Sequence, residues 1–173
     1  DKETAILAVE AALTGHLVLS TIHTNSAAGT VQRLINMGVE PFLLASAMKM
    51  VISQRLWKKI CHDCKEVYTP KEFENKKINE ILSPVIDKKE LEDVVFYHGK
   101  WCEKCGNTWY KWRMWFHEVL IVWDYIEPMI LKKESANNMK EEAIKNWMIT
   151  ITQDALLKAI VWETTIEEAL KLI

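Results

Sequence analysis

Two Cys-x-x-Cys pairs constrain this chain more than any other feature of its sequence. Cys61 and Cys64 form the first pair, Cys102 and Cys105 form the second, and the chain has no other cysteine. Two such pairs can bring four thiolates to the corners of a tetrahedron, which is the coordination that structural zinc prefers. A thioredoxin-like redox site needs only one pair, and the spacing is not that of a typical ferredoxin run. We therefore predict a closed structural zinc site, with unmetallated thiols and an iron–sulfur cluster as the alternatives.

The segment between the two pairs indicates why a metal would be needed there. Residues 72–92 are highly charged with few apolar side chains, and Pro84 interrupts them. This pattern predicts one or two short amphipathic helices with too little apolar surface to fold unaided. Zinc bound to the four cysteines would cross-link the two ends of the segment and would not act as a catalyst.

Charge and hydropathy exclude several classes of function. The 173 residues include 22 Lys and Arg against 24 Asp and Glu, so the chain has no basic footprint for nucleic acid or anionic lipid. No apolar run reaches the roughly 18 residues of a candidate membrane helix. No charged segment followed by an apolar one marks a secretory signal, so we expect a cytoplasmic protein without direct membrane insertion.

The first third of the chain shows the pattern of an α/β fold. Residues 4–13 favour a helix that stops at Gly15, and residues 16–22 are typical of a short buried strand. Ser26 or Asn25 can cap the helix that follows. Helix, strand and helix in this order indicate part of a parallel α/β sheet. The opening residues resemble the middle of a helix, so we expect the chain to be a piece of a larger protein.

Later segments are predicted to be mainly helical. Residues 42–56 are rich in Ala, Leu and Met and favour a helix. After the cysteine segment, four further helices are predicted, over residues 125–133, 136–146, 152–160 and 165–173.

The stretch TGHLVLSTIHTNS, from Thr14 to Ser26, identifies a family resemblance. This stretch resembles the C-terminal portion of the type II secretion and type IV pilus assembly ATPases of the GspE/PilB kind. The resemblance extends to the residues around the stretch, to QRL at 54–56, to the two cysteine pairs and to the C-terminal tail. The resemblance covers nearly the whole chain. It implies the C-terminal part of a RecA-like domain over residues 1–58, a tetracysteine zinc subdomain over 59–118 and a helical segment over 119–173.

The resemblance also implies a set of nucleotide-site residues. The Thr14–Ser26 stretch matches the histidine box of these ATPases, so His23 would sense the γ-phosphate of ATP. His16, Thr24 and Arg55 are further candidates for nucleotide contacts. A histidine at the carboxyl end of a strand suits this role, because ligands of open α/β sheets bind beyond those ends.

The family's activity implies ATP and Mg²⁺ as cofactors, a homo-hexamer, and docking on inner-membrane platform proteins from the cytoplasmic side. The chain itself contains no G-x-x-x-x-G-K-[ST] motif and no Walker B strand. We therefore expect it to be inactive alone. The alternatives are a non-catalytic, zinc-stabilised interaction module and a zinc-ribbon nucleic-acid binder.

Tryptophan departs from the family pattern at a set of positions where glycine is expected. The second cysteine pair is followed by GNTWYKWRMWFHE, where the family has glycines in place of the three tryptophans. Glycine at such positions supplies positive φ or lets two backbones approach closely. Tryptophan replaces the expected glycine at positions 101, 109, 112, 115, 147 and 162. From Trp109 to Arg113, tryptophan is interleaved with Tyr, Lys and Arg, and this pattern would favour base stacking on single-stranded nucleic acid.

Overall fold

The computed structural model describes residues 1–172, with the backbone alone at Lys88. Over this range the regular elements follow in the order α1 (Lys2–Leu13), α2 (Ala27–Asn36), α3 (Pro41–Ala47), β1 (Met50–Ile60), β2 (Lys65–Tyr68), α4 (Glu72–Leu82), α5 (Lys88–Glu92), β3 (Phe96–Gly99), β4 (Tyr110–Ile121), α6 (Glu127–Leu131), α7 (Ala136–Lys145), α8 (Ile151–Ile160) and α9 (Ile166–Leu170). A short 3₁₀ turn covers Glu103–Cys105.

Packing divides the chain into two compact units, each built from two stretches of sequence. Unit 1 consists of Asp1–Ser53 and Glu118–Met148, and unit 2 consists of Gln54–His117 and the chain from Ile149 onward. The functional boundaries predicted after residues 58 and 118 stay a prediction.

Unit 1 is a helical assembly around one apolar core. α3 packs against α1 and α6, and α2 packs against α7. Ser26 begins α2 as predicted, because its side chain accepts a hydrogen bond from the Gly29 N–H at 3.1 Å. The fully buried core side chains include Ala27, Val31, Leu44, Leu120, Ile126, Ile130 and Met139.

The strand predicted over residues 16–22 is wrong. This segment is extended but forms no ladder in the described part of the chain, and Leu17 and Leu19 are 88% and 87% exposed. A strand is stabilised by hydrogen bonds to a neighbouring strand and by packing on at least one face. Among residues 1–172 no strand lies beside this segment, so the apolar pattern is present without the sheet that it favours.

The helix predicted over residues 42–56 is also wrong in its second half. α3 ends at Ala47, and β1 begins at Met50. β1 starts with the β-branched pair Val51 and Ile52 and pairs with β4. Cross-strand pairing therefore outweighs the helix propensity of the Met, Gln, Arg and Leu residues in this stretch.

Unit 2 packs the charged insert against the C-terminal helices. β2 and β3 pair antiparallel, with Lys65 opposite Gly99 and Tyr68 opposite Phe96. α4 packs against α8, and α8 packs against α9. The core of this unit comprises Ile78, Leu82, Phe96, Phe116, Ala155, Leu156, Ala159, Ile166 and Ala169.

Several helix predictions are confirmed. The insert forms two helices, α4 and α5, on either side of Pro84. All four C-terminal helices are present within a few residues of the predicted bounds, although residue 173, the predicted end of the last one, lies outside the described residues. Thr165 caps α9 by accepting a hydrogen bond from the Glu168 N–H. In the described range, the helices are all too short and insufficiently apolar to cross a bilayer.

The start of α4 is fixed by a buried carboxylate. Glu74 accepts hydrogen bonds from the Tyr68 hydroxyl at 2.8 Å and from the Lys71 N–H at 2.7 Å. Burial, reinforced by the nearby Glu74 carboxylate, raises the pKa of Tyr68 to about 12. The insert is thereby tied to the end of β2.

We expect this tyrosine to make stability fall at alkaline pH. Its folded-state pKa lies above the ordinary value of about 10, so the stabilisation is fully present below that value and is lost as the pH rises toward 12. Denaturant titrations between these pH values should show the unfolding free energy of the wild type falling more steeply than that of Tyr68→Phe. Burial also raises the pKa of Tyr110 to about 12. This residue is present in both proteins, so its contribution to the pH dependence cancels in the comparison. Parallel curves would contradict the coupling.

Candidate metal centre and histidine segment

The four cysteine side chains converge on one point in unit 2. All four Sγ atoms lie within 4.8 Å of one another, and those of Cys64 and Cys105 are 4.0 Å apart. Tetrahedral zinc with Zn–S bonds of about 2.3 Å separates its sulfurs by roughly 3.8 Å. The donor set and its spacing therefore fit a Zn²⁺ ion with only a small contraction of the cluster.

The first cysteine pair is held by backbone hydrogen bonds from three directions. Cys61 directly follows β1, and its N–H donates to the Trp109 carbonyl at 2.9 Å. The Cys64 N–H donates to the Cys61 carbonyl at 3.3 Å, which forms the tight turn. The Cys64 carbonyl accepts from the Lys100 N–H at 3.0 Å, just after β3. Both cysteines are fully buried.

The second cysteine pair forms a self-contained turn. The Cys102 N–H donates to the Asn107 side-chain oxygen at 2.8 Å, and the Asn107 N–H returns a bond to the Cys102 carbonyl at 3.0 Å. Gly106 ends the 3₁₀ turn with a φ of 62°. The Thr108 hydroxyl donates to the Cys105 carbonyl at 2.7 Å. The Cys102 and Cys105 thiols are thus positioned by their own loop.

The two pairs differ in electrostatic environment. Burial, followed by hydrogen bonding to Cys61 and Cys105, raises the pKa of the Cys64 thiol to about 12. Burial also acts to raise the pKa of Cys105, but hydrogen bonds from the Trp109 N–H and from neighbouring thiols outweigh it and lower that pKa to about 7. Lys104 forms an ion pair with Asp63 at 2.7 Å, which links the two loops on their exposed side.

The predicted nucleotide-site residues lie on the exposed segment of unit 1 and on β1. His16 is exposed, with its Nδ1 3.1 Å from the Thr14 hydroxyl, and His23 is exposed. The Thr24 hydroxyl donates to the Ser26 carbonyl at 3.2 Å and lies 2.9 Å from the Thr30 hydroxyl, so this residue ties the segment to α2. Arg55 is half-buried on β1, within unit 2. The structure therefore joins His16, His23 and Thr24 along one extended segment.

Glu118 is a site residue that the sequence did not single out. It is 2% exposed on β4, and its Oε1 accepts a hydrogen bond from the Ala27 N–H at 3.1 Å. A carboxylate here satisfies one of the free N–H groups of the first turn of α2 and complements the helix dipole. The signal was available, because a glutamate inside the apolar stretch FHEVLIV is unusual in a strand core.

Comparison with known proteins places this geometry in a family. The profile of the family described as "Type II/IV secretion system protein" matches residues 1–171. The chain belongs to that family. It is 42% identical over 170 residues to the type IV pilus assembly ATPase PilB of Thermus thermophilus, covering 98% of this chain and 18% of that protein. It is 39% identical over 171 residues to the type II secretion system ATPase E of Vibrio cholerae, covering 99% of this chain and 32% of that protein.

Solved structures show the same fold for this member of the family. The pilus retraction motor PilT with bound ADP matches 100% of the chain and 37% of its own, with a TM-score of 0.62 at 22% identity. The Legionella pneumophila ATPase DotB matches 99% of the chain and 36% of its own, with a TM-score of 0.60 at 19% identity. The predicted family and mixed α/β class are thereby confirmed. The chain spans less than a third of the two curated relatives described above.

Removing one thiol should abolish metal binding. We expect about one zinc per chain in the wild type by elemental analysis and markedly less in Cys61→Ser, because three sulfurs no longer close the shell. At a free zinc concentration 100 times the Kd, the metal should stabilise the wild type by about 2.7 kcal/mol. His62→Ala is the matched control, since it changes an exposed neighbour of Cys61 and leaves the thiols intact. Equal zinc content in all three proteins would contradict the site.

Truncating Glu118 should loosen the start of α2. In Glu118→Ala the buried Ala27 N–H loses its acceptor, so the unfolding free energy should fall by about 1–3 kcal/mol. Glu118→Gln keeps an acceptor oxygen and should lose less. Denaturant unfolding checks the order, and equal losses in the two variants would show that the hydrogen bond is not the cause.

Proposed function

We propose that this chain is the C-terminal portion of a hexameric ATPase that powers type II secretion or type IV pilus assembly. The main support is the match of residues 1–171 to the type II/IV secretion system family, together with relatives named as pilus assembly and secretion ATPases. Its contribution would be a histidine sensor of the bound nucleotide and a structural zinc module.

The catalytic core would be supplied by another part of the protein. The 173 residues contain neither a P-loop lysine nor a Walker B strand, so they lack the groups that hold the β- and γ-phosphates and Mg²⁺. The exposed Leu17 and Leu19 support this division, because an apolar extended segment is stable when it is covered on its faces by a sheet and its helices. In the complete ATPase we propose that other residues cover this extended segment.

We propose that His23 responds to a phosphate in such an assembly. The residues just after it are fixed by the Thr24, Ser26 and Glu118 hydrogen bonds at the start of α2. An imidazole N–H at the end of a strand can donate to a γ-phosphate oxygen, and the contact is lost when that phosphate leaves. His16, Thr24 and Arg55 remain proposed neighbours of the nucleotide.

The zinc module would act within unit 2. β4 begins at Tyr110, shortly after Cys105. Zinc at the four cysteines would therefore fix the loop that leads into this strand. When bound, the metal supplies only charge neutralisation and cross-linking of the two loops.

The wider setting follows from the same family. ATP and Mg²⁺ would be the cofactors, a homo-hexamer the working form, and inner-membrane platform proteins the partners, with the protein at the cytoplasmic face. A second candidate, a non-catalytic and zinc-stabilised interaction module, is supported by the missing P-loop. A nucleic-acid binder has less support, because the net charge is -2.

The sensor role is tested in the full-length protein. We expect His23→Ala to lower ATP turnover by about 10²–10³-fold, as loss of a donor to developing charge does, and to leave nucleotide affinity nearly unchanged. His117→Ala, which changes a histidine of unit 2, is the matched control. Turnover assays and nucleotide titration on the same preparations separate the two effects. Wild-type turnover in His23→Ala would end the sensor proposal, and a full-length protein without ATPase activity would favour the interaction module.

A further inference from the structure

Four tryptophans adopt backbone conformations that favour glycine. Trp109, Trp112, Trp147 and Trp162 have φ values of 70°, 77°, 69° and 64°. In this left-handed region the Cβ of an L-residue crowds its own backbone, so a bulky side chain there is a genuine outlier. Tryptophan accounts for four of the six non-glycine residues with positive φ in the described chain. The other two are an asparagine, a type that tolerates this region, and Lys133.

Two of these tryptophans close a helix in the way that glycine usually does. After α7, the Trp147 N–H donates to the Ile144 carbonyl at 3.2 Å, and the Met148 N–H donates to the Ala143 carbonyl at 2.9 Å. After α8, the Trp162 N–H makes the equivalent bond to the Ala159 carbonyl at 3.2 Å, and the next N–H bonds to the Lys158 carbonyl at 2.9 Å. This pair of bonds defines the Schellman motif, whose left-handed residue is most often glycine.

The same chain provides glycine at this turn elsewhere. α1 and α2 end with the same two hydrogen bonds, and their left-handed residues are Gly15 and Gly38, each with a φ of 92°. α6 ends in the same way at Lys133, so the turn admits an extended, flexible side chain. Tryptophan fits it poorly, because a bulky ring is attached directly to the crowded Cβ.

Trp109 serves the metal centre through its backbone. Its carbonyl accepts from the Cys61 N–H, and its N–H donates to the Cys105 sulfur, so residue 109 fastens the two cysteine pairs together. The positive φ aims both groups in the directions that these bonds require. Its side chain crowds the neighbouring strand instead: a Cβ added at Gly99 would lie 2.3 Å from the Trp109 Cβ.

Two of the four indole rings gain little from their positions. Trp112 and Trp147 are 79% and 86% exposed, whereas tryptophan is on average a highly buried residue. The other two rings make contacts: the Trp162 Nε1–H donates to the Val95 carbonyl at 3.2 Å, and the Trp109 ring lies edge-on to His98. At positions 112 and 147, packing of the ring therefore does not offset the backbone strain.

We infer that positions 109, 112, 147 and 162 are glycine positions, and that the protein carries glycine at all four in its source cell. Residue 109 is then a positioning residue of the metal centre. Its backbone makes the two hydrogen bonds that link the cysteine pairs, and glycine makes them without strain. One cause accounts for the four sites together: the codon UGA, which some cells translate as tryptophan and others as glycine. The inference does not rest on the ATPase proposal, since two of the sites are helix ends.

The direct test is peptide mass spectrometry of the protein isolated from its source cells, with the gene sequence beside it. We expect glycine in the peptides that contain positions 109, 112, 147 and 162, and UGA at each of the four codons. Tryptophan in these peptides, or UGG codons at these positions, would overturn the inference.

Recombinant variants test the backbone argument independently. Trp147→Gly and Trp162→Gly should each raise the thermal unfolding midpoint by a few degrees, and by more than the corresponding alanine variants. The matched control is position 57, where φ is not positive. There the Trp57→Ala protein should be at least as stable as the Trp57→Gly protein. If alanine and glycine raise the midpoint equally at 147 and 162, removal of bulk is the cause and the inference fails.

Zinc titration of the position-109 variants separates the metal role from general stability. Trp109→Gly should bind zinc more tightly than Trp109→Ala, because the positive φ is free of strain only in the first. Equal zinc affinity in the two variants would overturn the positioning role of residue 109.

Discussion

The convergence of four cysteine sulfurs is the constraint on which unit 2 depends. It joins the residues that follow β1 to the loop between β3 and β4, which lies far along the chain. The charged insert between the two pairs contributes Ile78, Leu82 and Phe96 to the buried core that it shares with α8 and α9. The cysteine cluster lies where the two ends of the insert meet, so a metal bound there would add a cross-link to this packing.

A second buried polar contact organises unit 1. Glu118 reaches the first turn of α2, directly after the segment that carries the two histidines. Ser26 and Thr24 complete the arrangement, so every polar group at this helix start has a local function. The histidines themselves stay outside the packed structure. This exposure is compatible with the proposed sensor role, because a side chain that contacts a ligand cannot also be committed to a core.

Sequence reasoning succeeded where a structure depends on neighbouring residues and failed where it depends on residues that are far apart in sequence. Helices with local signals were predictable: Ser26 as a possible cap, Gly15 as a stop, and Pro84 as a break in the insert. The cysteine cluster was predictable because its ligand spacing encodes it. The strand at residues 16–22 and the helix continuing to residue 56 were wrong because both depended on pairing, the first on a neighbour that residues 1–172 do not supply and the second on β4. Glu118 stood out as a glutamate in an apolar stretch, but its partner, the Ala27 N–H, lies far away in sequence, so the contact itself was not predictable.

The exposed leucines beside the histidines carry a consequence for how such a chain would be handled in a cell. An extended, proline-free stretch with Leu17 and Leu19 facing solvent has the character of an unpaired sheet edge, which is prone to join other chains. Chaperones and proteases recognise the same features. A copy of residues 1–173 in which this segment stays uncovered would therefore be prone to join other copies through it, and covering the segment would remove that tendency.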